Sequence, residues 1–304
     1  MKRNTKKVEP NNPQSEIIEE GEKIKGSSIQ QNIEENIDYS LKETDNFNVS
    51  TLPDGFFMLI IAPRRQGKSE KLQSLLEDIR TQGSPFDYVF LFSQTNAGYE
   101  NQIPNTFRFG DLSHLPYIVN KQAEVKQFNL KQKQKSKRVK SRVLVILDDM
   151  IGEEKGANSL KNNGMIRKLA VNGRHLGNDG VEGNGISTII VSQAVKAIPK
   201  TIRLQTDVIM VARASNRLER ETIVEEFATL KSGRDAMKEA YKLFDDITLS
   251  KPFRFMVISN HLPSKRSNND FIHYYDGVYP VKQRRLFGDA RDWDTPPSNI
   301  NIFS

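Results

Sequence analysis

The chain has 304 residues, a formal net charge of +7 at pH 7 and no cysteine. Without cysteine, disulfides and thiolate metal sites are excluded, and the 4 histidines show no metal-ligand spacing. No apolar run approaches the roughly 20 residues that a membrane-spanning helix needs, and the charged N-terminus is not typical of a secretory signal. We therefore expect a soluble, intracellular protein with no stable membrane insertion.

Charged residues are unevenly distributed along the chain. Residues 1–50 carry 7 basic and 10 acidic side chains, and they are rich in Asn, Gln, Glu, Lys and Ser. Such a segment buries too little apolar area to offset its ordering entropy, so we predict a disordered arm, apart from a candidate helix near Ile29–Tyr39. The rest of the chain carries a net charge of +10, which indicates a polyanionic partner.

The most informative stretch is 56–69, which reads FFMLIIAPRRQGKS. An apolar run ends in a polar loop, and the loop closes on Gly67-Lys68-Ser69. Apolar residues then recur with helical spacing at Leu72, Leu75, Leu76 and Ile79. This order of strand, loop and helix is the context that a phosphate-binding loop requires.

We expect this phosphate loop, residues 62–69, to bind a nucleoside triphosphate through backbone amides at a helix N-terminus. Lys68 is expected to reach the β- and γ-phosphates, and the Ser69 hydroxyl to bind Mg²⁺. The usual pattern has a glycine where this chain has Ala62, so either the loop needs no positive φ there or binding is weakened. The alternative is a chance Gly-Lys-Ser after a buried strand. The candidate nucleotide-binding residues are Ala62, Pro63, Arg64, Arg65, Gln66, Gly67, Lys68 and Ser69.

Further along the chain, Phe86–Phe92 is predicted to be a buried strand and Thr106–Phe109 a short edge strand. The basic segment, residues 121–142, follows as a polar stretch with 9 Lys or Arg and a single Glu.

The run at 143–149, VLVILDD, contains five consecutive apolar β-formers, as is typical of a parallel strand buried on both faces. Asp148 and Asp149 follow at its carboxyl end, where ligands bind in open α/β sheets. We expect Asp148 to hold Mg²⁺ and Asp149 to orient and deprotonate the attacking water. The alternative is an ordinary strand that ends in a solvated turn.

The next elements repeat this pattern. A helical face runs through Met165, Ile166, Leu169, Ala170, Gly173 and Leu176, and a glycine-rich connection covers 177–185. Ser187–Gln193 is then a predicted strand. Gln193 is expected to donate to the γ-phosphate or to hold the water, and the alternative is a loop glutamine with no role.

The remaining pattern predicts strands at Asp207–Ala212 and Phe253–Ile258, helices near 216–231 and 233–245, and little regular structure after Ser264. Alternating strands and helices indicate an α/β fold, with a doubly wound, mostly parallel sheet and helices on both faces. The predicted organisation is a disordered arm at 1–50, a nucleotide-binding domain at 51–262 and a C-terminal extension at 263–304.

Taken in order, four segments resemble the FtsK–HerA superfamily of DNA-pumping ATPases, and in particular the poxvirus-type genome-packaging ATPases of large DNA viruses. The resemblance covers roughly 52–260, and Pro199–Arg213 is also similar. Its most specific part is Gly-Arg-His before a strand ending in Gln. The segments are Ala62–Ser69, Leu147–Met150, Asn172–His175 and Ile189–Gln193.

This resemblance implies a RecA-like core that uses ATP and Mg²⁺ to move double-stranded DNA, without sequence preference, into a preformed capsid. It implies a homo-oligomeric ring, expected to be a hexamer, and capsid or portal-vertex partners at a cytoplasmic assembly site or in the virion. An arginine from the neighbouring subunit is expected at each ATP. Arg174 is the first candidate, with Arg203 and Arg213 behind it. The family often has Glu where this chain has Asp149, which bears on turnover rate.

The resemblance also makes the basic segment a candidate contact for DNA phosphates. The alternative for it is a solvated, partly disordered excursion. Two other functions remain open from the sequence: a P-loop nucleotide kinase, and a non-catalytic DNA-binding assembly protein with a decayed loop.

Overall fold

A computed structural model describes residues 44–83, 86–95, 98–150, 163–177, 184–214, 216–228, 233–261, 271–277 and 287–288. Within them, the strands are β1 Phe57–Ile61, β2 Tyr88–Ser93, β3 Arg108–Phe109, β4 Val143–Asp148, β5 Ile186–Ser192, β6 Val208–Val211, β7 Phe255–Ser259 and β8 Ile272–Tyr275. The α-helices are α1 Lys68–Gln82, α2 Leu115–Lys131, α3 Gly164–Asn172, α4 Lys200–Arg203, α5 Arg217–Ile223 and α6 Arg234–Ser250.

All eight strands form one sheet in the order β3-β2-β4-β5-β1-β6-β7-β8. The pairs from β3 to β6 are parallel, and β7 and β8 are antiparallel additions. Every residue of β1, β4, β5 and β6 is buried. Since successive side chains point to opposite faces, both faces of the central sheet are covered. The predicted α/β fold with a doubly wound, mostly parallel sheet is confirmed.

The register brings the ends of the parallel strands to one edge, which we call the carboxyl edge. Ser93 pairs with Asp148, Asp148 pairs with Val191, and Ile61 pairs with both Ser192 and Val211. Because β7 is antiparallel to β6, its first residues lie at this same edge. The opposite edge, where the parallel strands begin, is the amino edge.

Several elements differ from the sequence prediction. The first half of the basic segment belongs to α2, whose buried residues include Gln122 and Asn129 as well as apolar side chains. Their amides satisfy buried backbone groups, for example through Asn129 Nδ2 to the Val139 carbonyl at 2.8 Å. This polar stripe hides the apolar period on which helix prediction depends.

The C-terminal region also contains more structure than expected, since β8 lies in a segment that we expected to have little regular pattern. Residues 44–50, which we assigned to the disordered arm, pack on this part of the fold: Phe47 and Val49 are buried, and Asn46 bridges to Tyr274 of β8. Strand β7 begins two residues later than predicted because Phe253 has a φ of 59°, which no strand residue adopts.

The predicted helix at 216–231 is α5 followed by a π-helical turn at Val224–Ala228, and the predicted helix at 233–245 extends to Ser250 as α6. The candidate helix near Ile29–Tyr39 and most of the glycine-rich connection lie outside the described residues. Among the described residues, no helix is both long and apolar enough to cross a membrane.

Candidate functional site at the carboxyl edge

The phosphate loop connects β1 to α1 at the carboxyl edge. Gly67 is the N-terminal cap residue of α1 and has a φ of 73°, while Arg65 has a φ of 63°. The first hydrogen bond of the helix is the one that the Lys71 amide donates to the Gly67 carbonyl, at 2.8 Å. The amides of the first turn have no partner within the helix, so they are available to an anion.

Ala62 causes no strain in this loop. It is fully buried, its amide donates to the Ser192 carbonyl at 3.0 Å, and its φ is not positive. Residue 62 therefore extends the pairing of β1 with β5, and an alanine is compatible with that role. The loop therefore folds without a positive φ at residue 62, and the effect of Ala62 on nucleotide binding stays a prediction.

The phosphate loop and the Asp-Asp pair at the end of β4, which were predicted as separate motifs, come together at Asp149. Its Oδ2 lies 3.7 Å from Lys68 Nζ, and its backbone has a φ of 55°, which is unusual for a residue other than glycine. The Asp149 amide donates to the Val191 carbonyl at 3.1 Å, which ties this turn to β5. The turn holds the exposed carboxylate beside the phosphate loop.

Gln193 joins the same group because β5 lies between β1 and β4. Its Nε2 donates to Asp149 Oδ2 at 2.6 Å, and its Oε1 accepts from Arg64 Nε at 3.2 Å. A continuous polar chain therefore runs from Arg64 in the phosphate loop through Gln193 to Asp149 and Lys68. The contact between Arg64 and Gln193 is not predictable from the sequence, because it depends on side-chain positions in the irregular loops that follow β1 and β5.

Asp148 lies behind this chain and is only 5% exposed. Its Oδ2 accepts a hydrogen bond from the Tyr99 hydroxyl at 2.9 Å, and its Oδ1 has no hydrogen-bond partner among the described residues. Burial raises the pKa of Asp148, while the Tyr99 hydroxyl and Lys68 oppose that rise. The result is a buried carboxylate with one oxygen left for another ligand.

Sequence reasoning missed Tyr99. It is almost fully buried, and its pKa is raised well above the ordinary value, first by burial and then by the charge of Asp148. Ser69 opposes this rise in the pKa of Tyr99. Tyr99 thus holds one predicted metal ligand, Asp148, and is influenced by the other, Ser69. One signal could have indicated that Tyr99 lies near Asp148: Tyr99 follows β2, and the last residue of β2, Ser93, pairs with Asp148.

The residues present fit a magnesium ion. Mg²⁺ is usually held by one or two protein oxygens together with substrate phosphates and water. Ser69 and the free Oδ1 of Asp148 supply oxygens of this kind next to the phosphate loop. Within the described part of the chain, no cluster of three or more His, Cys, Asp or Glu could hold a metal by itself.

The three candidate arginines occupy different places. Arg174 lies at the amino edge, where its Cα would be 2.5 Å from a Cβ placed on Gly55, the residue two before β1. It is exposed, and its Nε contacts Nε2 of His175 at 3.1 Å. The structure therefore does not bring Arg174 to the phosphate loop of its own chain.

Arg203 is unavailable as a neighbour's arginine, which corrects its place among the candidates. It is buried and paired through two hydrogen bonds of 2.7 and 2.6 Å to the carboxylate of Glu226, and it donates to the Ile198 carbonyl. Arg213, in contrast, is exposed and follows β6 at the carboxyl edge.

A family profile described as "Poxvirus A32 protein" matches residues 44–271. The DNA-packaging ATPase B204 from Sulfolobus Turreted Icosahedral Virus is 14% identical, with 75% of this chain and 100% of that chain covered and a TM-score of 0.45. B204 from Sulfolobus turreted icosahedral virus 2, solved with ATP-γ-S, is 12% identical over 74% and 98%, with a TM-score of 0.45.

The pCW3 conjugation coupling protein TcpA, also solved with ATP-γ-S, is 13% identical over 80% of this chain and 70% of that chain, with a TM-score of 0.50. At this identity the likeness shows a shared fold. No curated protein sequence matches the chain.

Proposed function

The chain belongs to the Poxvirus A32 protein family, and from that premise we propose that it is an ATPase that drives double-stranded DNA into a viral capsid. The observation that carries the proposal is the meeting of Lys68, Asp149 and Gln193 beside the buried carboxylate of Asp148. These groups match the parts that phosphoryl transfer to water requires: a cation for the phosphates, a base for the water and a polar group to orient it.

Bound ATP would change the contacts of Lys68. In the structure Lys68 lies 3.7 Å from Asp149, and the γ-phosphate carries more charge than this one carboxylate. As Lys68 moves to the phosphates, Asp149 loses its cation and can accept a proton from water. The water oxygen then attacks the γ-phosphorus while the bond to the β–γ bridging oxygen breaks, giving ADP and phosphate.

In this proposal Gln193 would report the state of the nucleotide. It is bonded both to Asp149 and to Arg64 of the phosphate loop. A γ-phosphate or a bound water would compete for its amide, so hydrolysis would change both contacts. This supports a sensing role for Gln193 and gives Arg64 a part in it.

Magnesium would be held by Ser69 and Asp148. When bound, it would neutralise charge that builds on the phosphates during transfer. Tyr99 fixes the Asp148 carboxylate through Oδ2, and Oδ1 has no hydrogen-bond partner among the described residues.

The basic segment supports DNA as the partner. Five Lys residues of this segment are exposed, one at the end of α2 (Lys131) and four after it, at 133, 135, 137 and 140. Gln122 of α2 donates to the Asn184 carbonyl at 2.6 Å and to the Ser141 carbonyl at 2.8 Å, which anchors the segment beside the starts of β4 and β5. Such a surface would neutralise DNA phosphates without reading base sequence.

We place the active form in a homo-oligomeric ring, a hexamer, working with capsid or portal-vertex proteins where virions assemble. Arg174 and Arg213 remain the candidates for an arginine that acts on the neighbouring subunit's ATP, because both are exposed.

The proposal is tested by ATP turnover with and without linear duplex DNA, together with the mass of the assembly. We expect turnover that duplex DNA stimulates, and its loss in Lys68→Ala. Phosphate transfer to an added nucleoside or nucleotide would instead show a kinase. ATP binding without turnover in an assembled ring would show a non-catalytic assembly protein.

A further inference from the structure

A cavity of about 200 Å³ lies beside the phosphate loop and is not used by the groups that surround Asp149. Its walls come from the loop, from the first two turns of α1 and from the turn before β7. The lining residues are Arg65, Gly67, Glu70, Lys71, Ser74 and Phe253.

Phe253 is the unusual member of this set. It is a large apolar residue that is 50% exposed, and it holds a φ of 59°, a conformation that costs free energy for any residue with a Cβ. Its ring packs against the loop, since a Cβ on Gly67 would lie 3.1 Å from Phe253 Cδ1. An exposed aromatic ring in a strained backbone is an arrangement that points to a ligand.

The position of Phe253 is fixed by the residue that follows it. Arg254 donates to both carboxylate oxygens of Asp276, at 2.7 and 2.8 Å, and also to the Ser250 hydroxyl at 3.1 Å. Its amide donates to the Lys251 carbonyl at 3.2 Å. These bonds close the turn between α6 and β7 and hold the ring at the carboxyl edge.

The order of the strands gives a bound nucleotide its direction. Lys68, Asp149 and Gln193 mark the γ-phosphate end, and Asp149 and Gln193 follow β4 and β5, on one side of β1. The nucleoside end of the triphosphate must then extend toward the other side of β1. That side holds β6 and β7, and Phe253 precedes β7.

We infer that the cavity binds the base of the nucleotide, with Phe253 as the surface on which the base stacks. The inference rests on the proposed binding of ATP at the phosphate loop. Stacking on an aromatic ring suits any base, because every base has a π-face. The site therefore contributes affinity and orientation of the triphosphate more than it selects among bases.

The test compares ATP with inorganic tripolyphosphate, which has the phosphates but no base, by calorimetric titration without turnover. Phe253→Ala should weaken ATP binding by about tenfold, the effect expected for the loss of one stacked base. Binding of tripolyphosphate should be unchanged, and Phe253→Tyr should restore the wild-type affinity for ATP. Phe128→Ala is the matched control, because Phe128 is 48% exposed on α2, away from the cavity.

An unchanged ratio of ATP to tripolyphosphate affinity in Phe253→Ala would overturn the inference. Where the ratio is unchanged because both ligands bind more weakly by the same factor, Phe253 only supports the loop. If the wild-type protein binds both ligands and Lys68→Ala binds neither, phosphate binding at the loop stands whatever Phe253 shows. If the wild-type protein binds neither ligand, the proposed function and the base site both fail.

Discussion

At the scale of single residues, Asp149 combines an unusual backbone conformation with a proposed role in catalysis. Its φ of 55° is a conformation that Asp and Asn tolerate better than most residues. The turn directs the carboxylate to Lys68 and Gln193 instead of letting β4 continue. Backbone strain of this kind is often found where a functional group must be held in place.

Replacing Asp149 by Asn tests the role of its carboxylate as a base without changing the size of the side chain. Asn keeps the size and the tolerated backbone conformation but cannot accept a proton from water. We expect Asp149→Asn to lower ATP turnover by a factor of about 10² to 10⁴, while the affinity for ATP stays within a few-fold of wild type. Steady-state turnover and calorimetric titration measure the two quantities.

Asp235→Asn is the matched control, because Asp235 is an exposed aspartate on α6. Its turnover should equal that of the wild type. Near-normal turnover in Asp149→Asn would remove Asp149 from the proposed role of base.

The sequence was sufficient to bring together the residues that follow parallel strands. Lys68, Asp149 and Gln193 were predictable as neighbours, because the carboxyl ends of parallel strands meet at one edge. Tyr99 and the contact of Arg64 with Gln193 were not predictable, since both depend on side chains from irregular loops. Likewise, the sequence does not indicate that Arg203 pairs with Glu226. This pairing removes Arg203 from the candidate arginines.

At the scale of elements, strand β8 shows how a weak pattern can still form part of the sheet. Only four residues pair with β7, and half of them are partly exposed, so neither length nor alternation marks a strand. Helix α2 was missed for a different reason, because buried amides occupy positions where an apolar stripe would be sought. In both cases the deciding contacts come from residues distant in sequence.

His273 on β8 makes the stability of this part of the fold dependent on pH. Burial lowers the pKa of His273 below its ordinary value of 6.5; the charge of Asp45 opposes this shift and His261 adds to it. The folded protein therefore favours the neutral ring, and the unfolded chain binds more protons as the pH falls below about 6.5. Stability should fall through that window on acidification and then level off below the folded-state pKa.

In His273→Gln this contribution to the loss of stability on acidification should disappear. The measurement is the midpoint of urea unfolding at pH 7.5 and 5.5 in the wild type, in His273→Gln and in His175→Gln, an exposed control. The drop between the two pH values should be smaller in His273→Gln than in the other two proteins. Equal drops in all three would show that His273 does not contribute to acid sensitivity.

At the scale of the whole sheet, the two proposed activities lie at opposite edges. The phosphate loop is at the carboxyl edge, while Gln122 anchors the basic segment at the amino edge. Strands β1, β4 and β5 between them have 5, 6 and 7 residues, which gives lengths of about 17 to 23 Å at a rise of about 3.3 Å per residue. Coupling ATP turnover to movement of DNA would then pass through the buried strands β1, β4 and β5, whose side chains are packed on both faces.

Neutralising the basic segment should change the salt dependence of DNA binding. If Lys133, Lys135 and Lys137 each contact one phosphate, the triple change to Gln lowers the slope of log affinity against log salt by about 2.7, or 0.9 per phosphate. Binding of linear duplex DNA at several salt concentrations measures this slope. The matched control changes three exposed cations of α6, Arg234, Lys238 and Lys242, to Gln.

Only the first triple variant should lose slope. Equal slopes for both triple variants would place the DNA contact elsewhere. Basal ATP turnover without DNA should be the same in both, because neither set of residues lies at the phosphate loop.

Mixed assemblies test whether an arginine acts between subunits. Lys68→Ala removes a subunit's own site but keeps its arginines, whereas Arg174→Ala keeps the site and removes one candidate arginine. Each variant alone should be nearly inactive, since an arginine supplied by a neighbour contributes about 10³ to 10⁵ in rate. In equal mixtures that reassemble at random, about a quarter of subunit boundaries combine an intact site with an intact arginine, and turnover should recover to about that fraction.

The same mixture with Arg213→Ala discriminates between the two exposed candidates. Arg174 lies at the amino edge of its own chain and Arg213 at the carboxyl edge, so we expect a neighbour in the proposed ring to present only one of them at a given ATP. The residue that acts between subunits is therefore the one whose variant is inactive alone and recovers on mixing with Lys68→Ala. If Arg174→Ala and Arg213→Ala each retain full turnover alone, neither arginine acts on the neighbour's ATP.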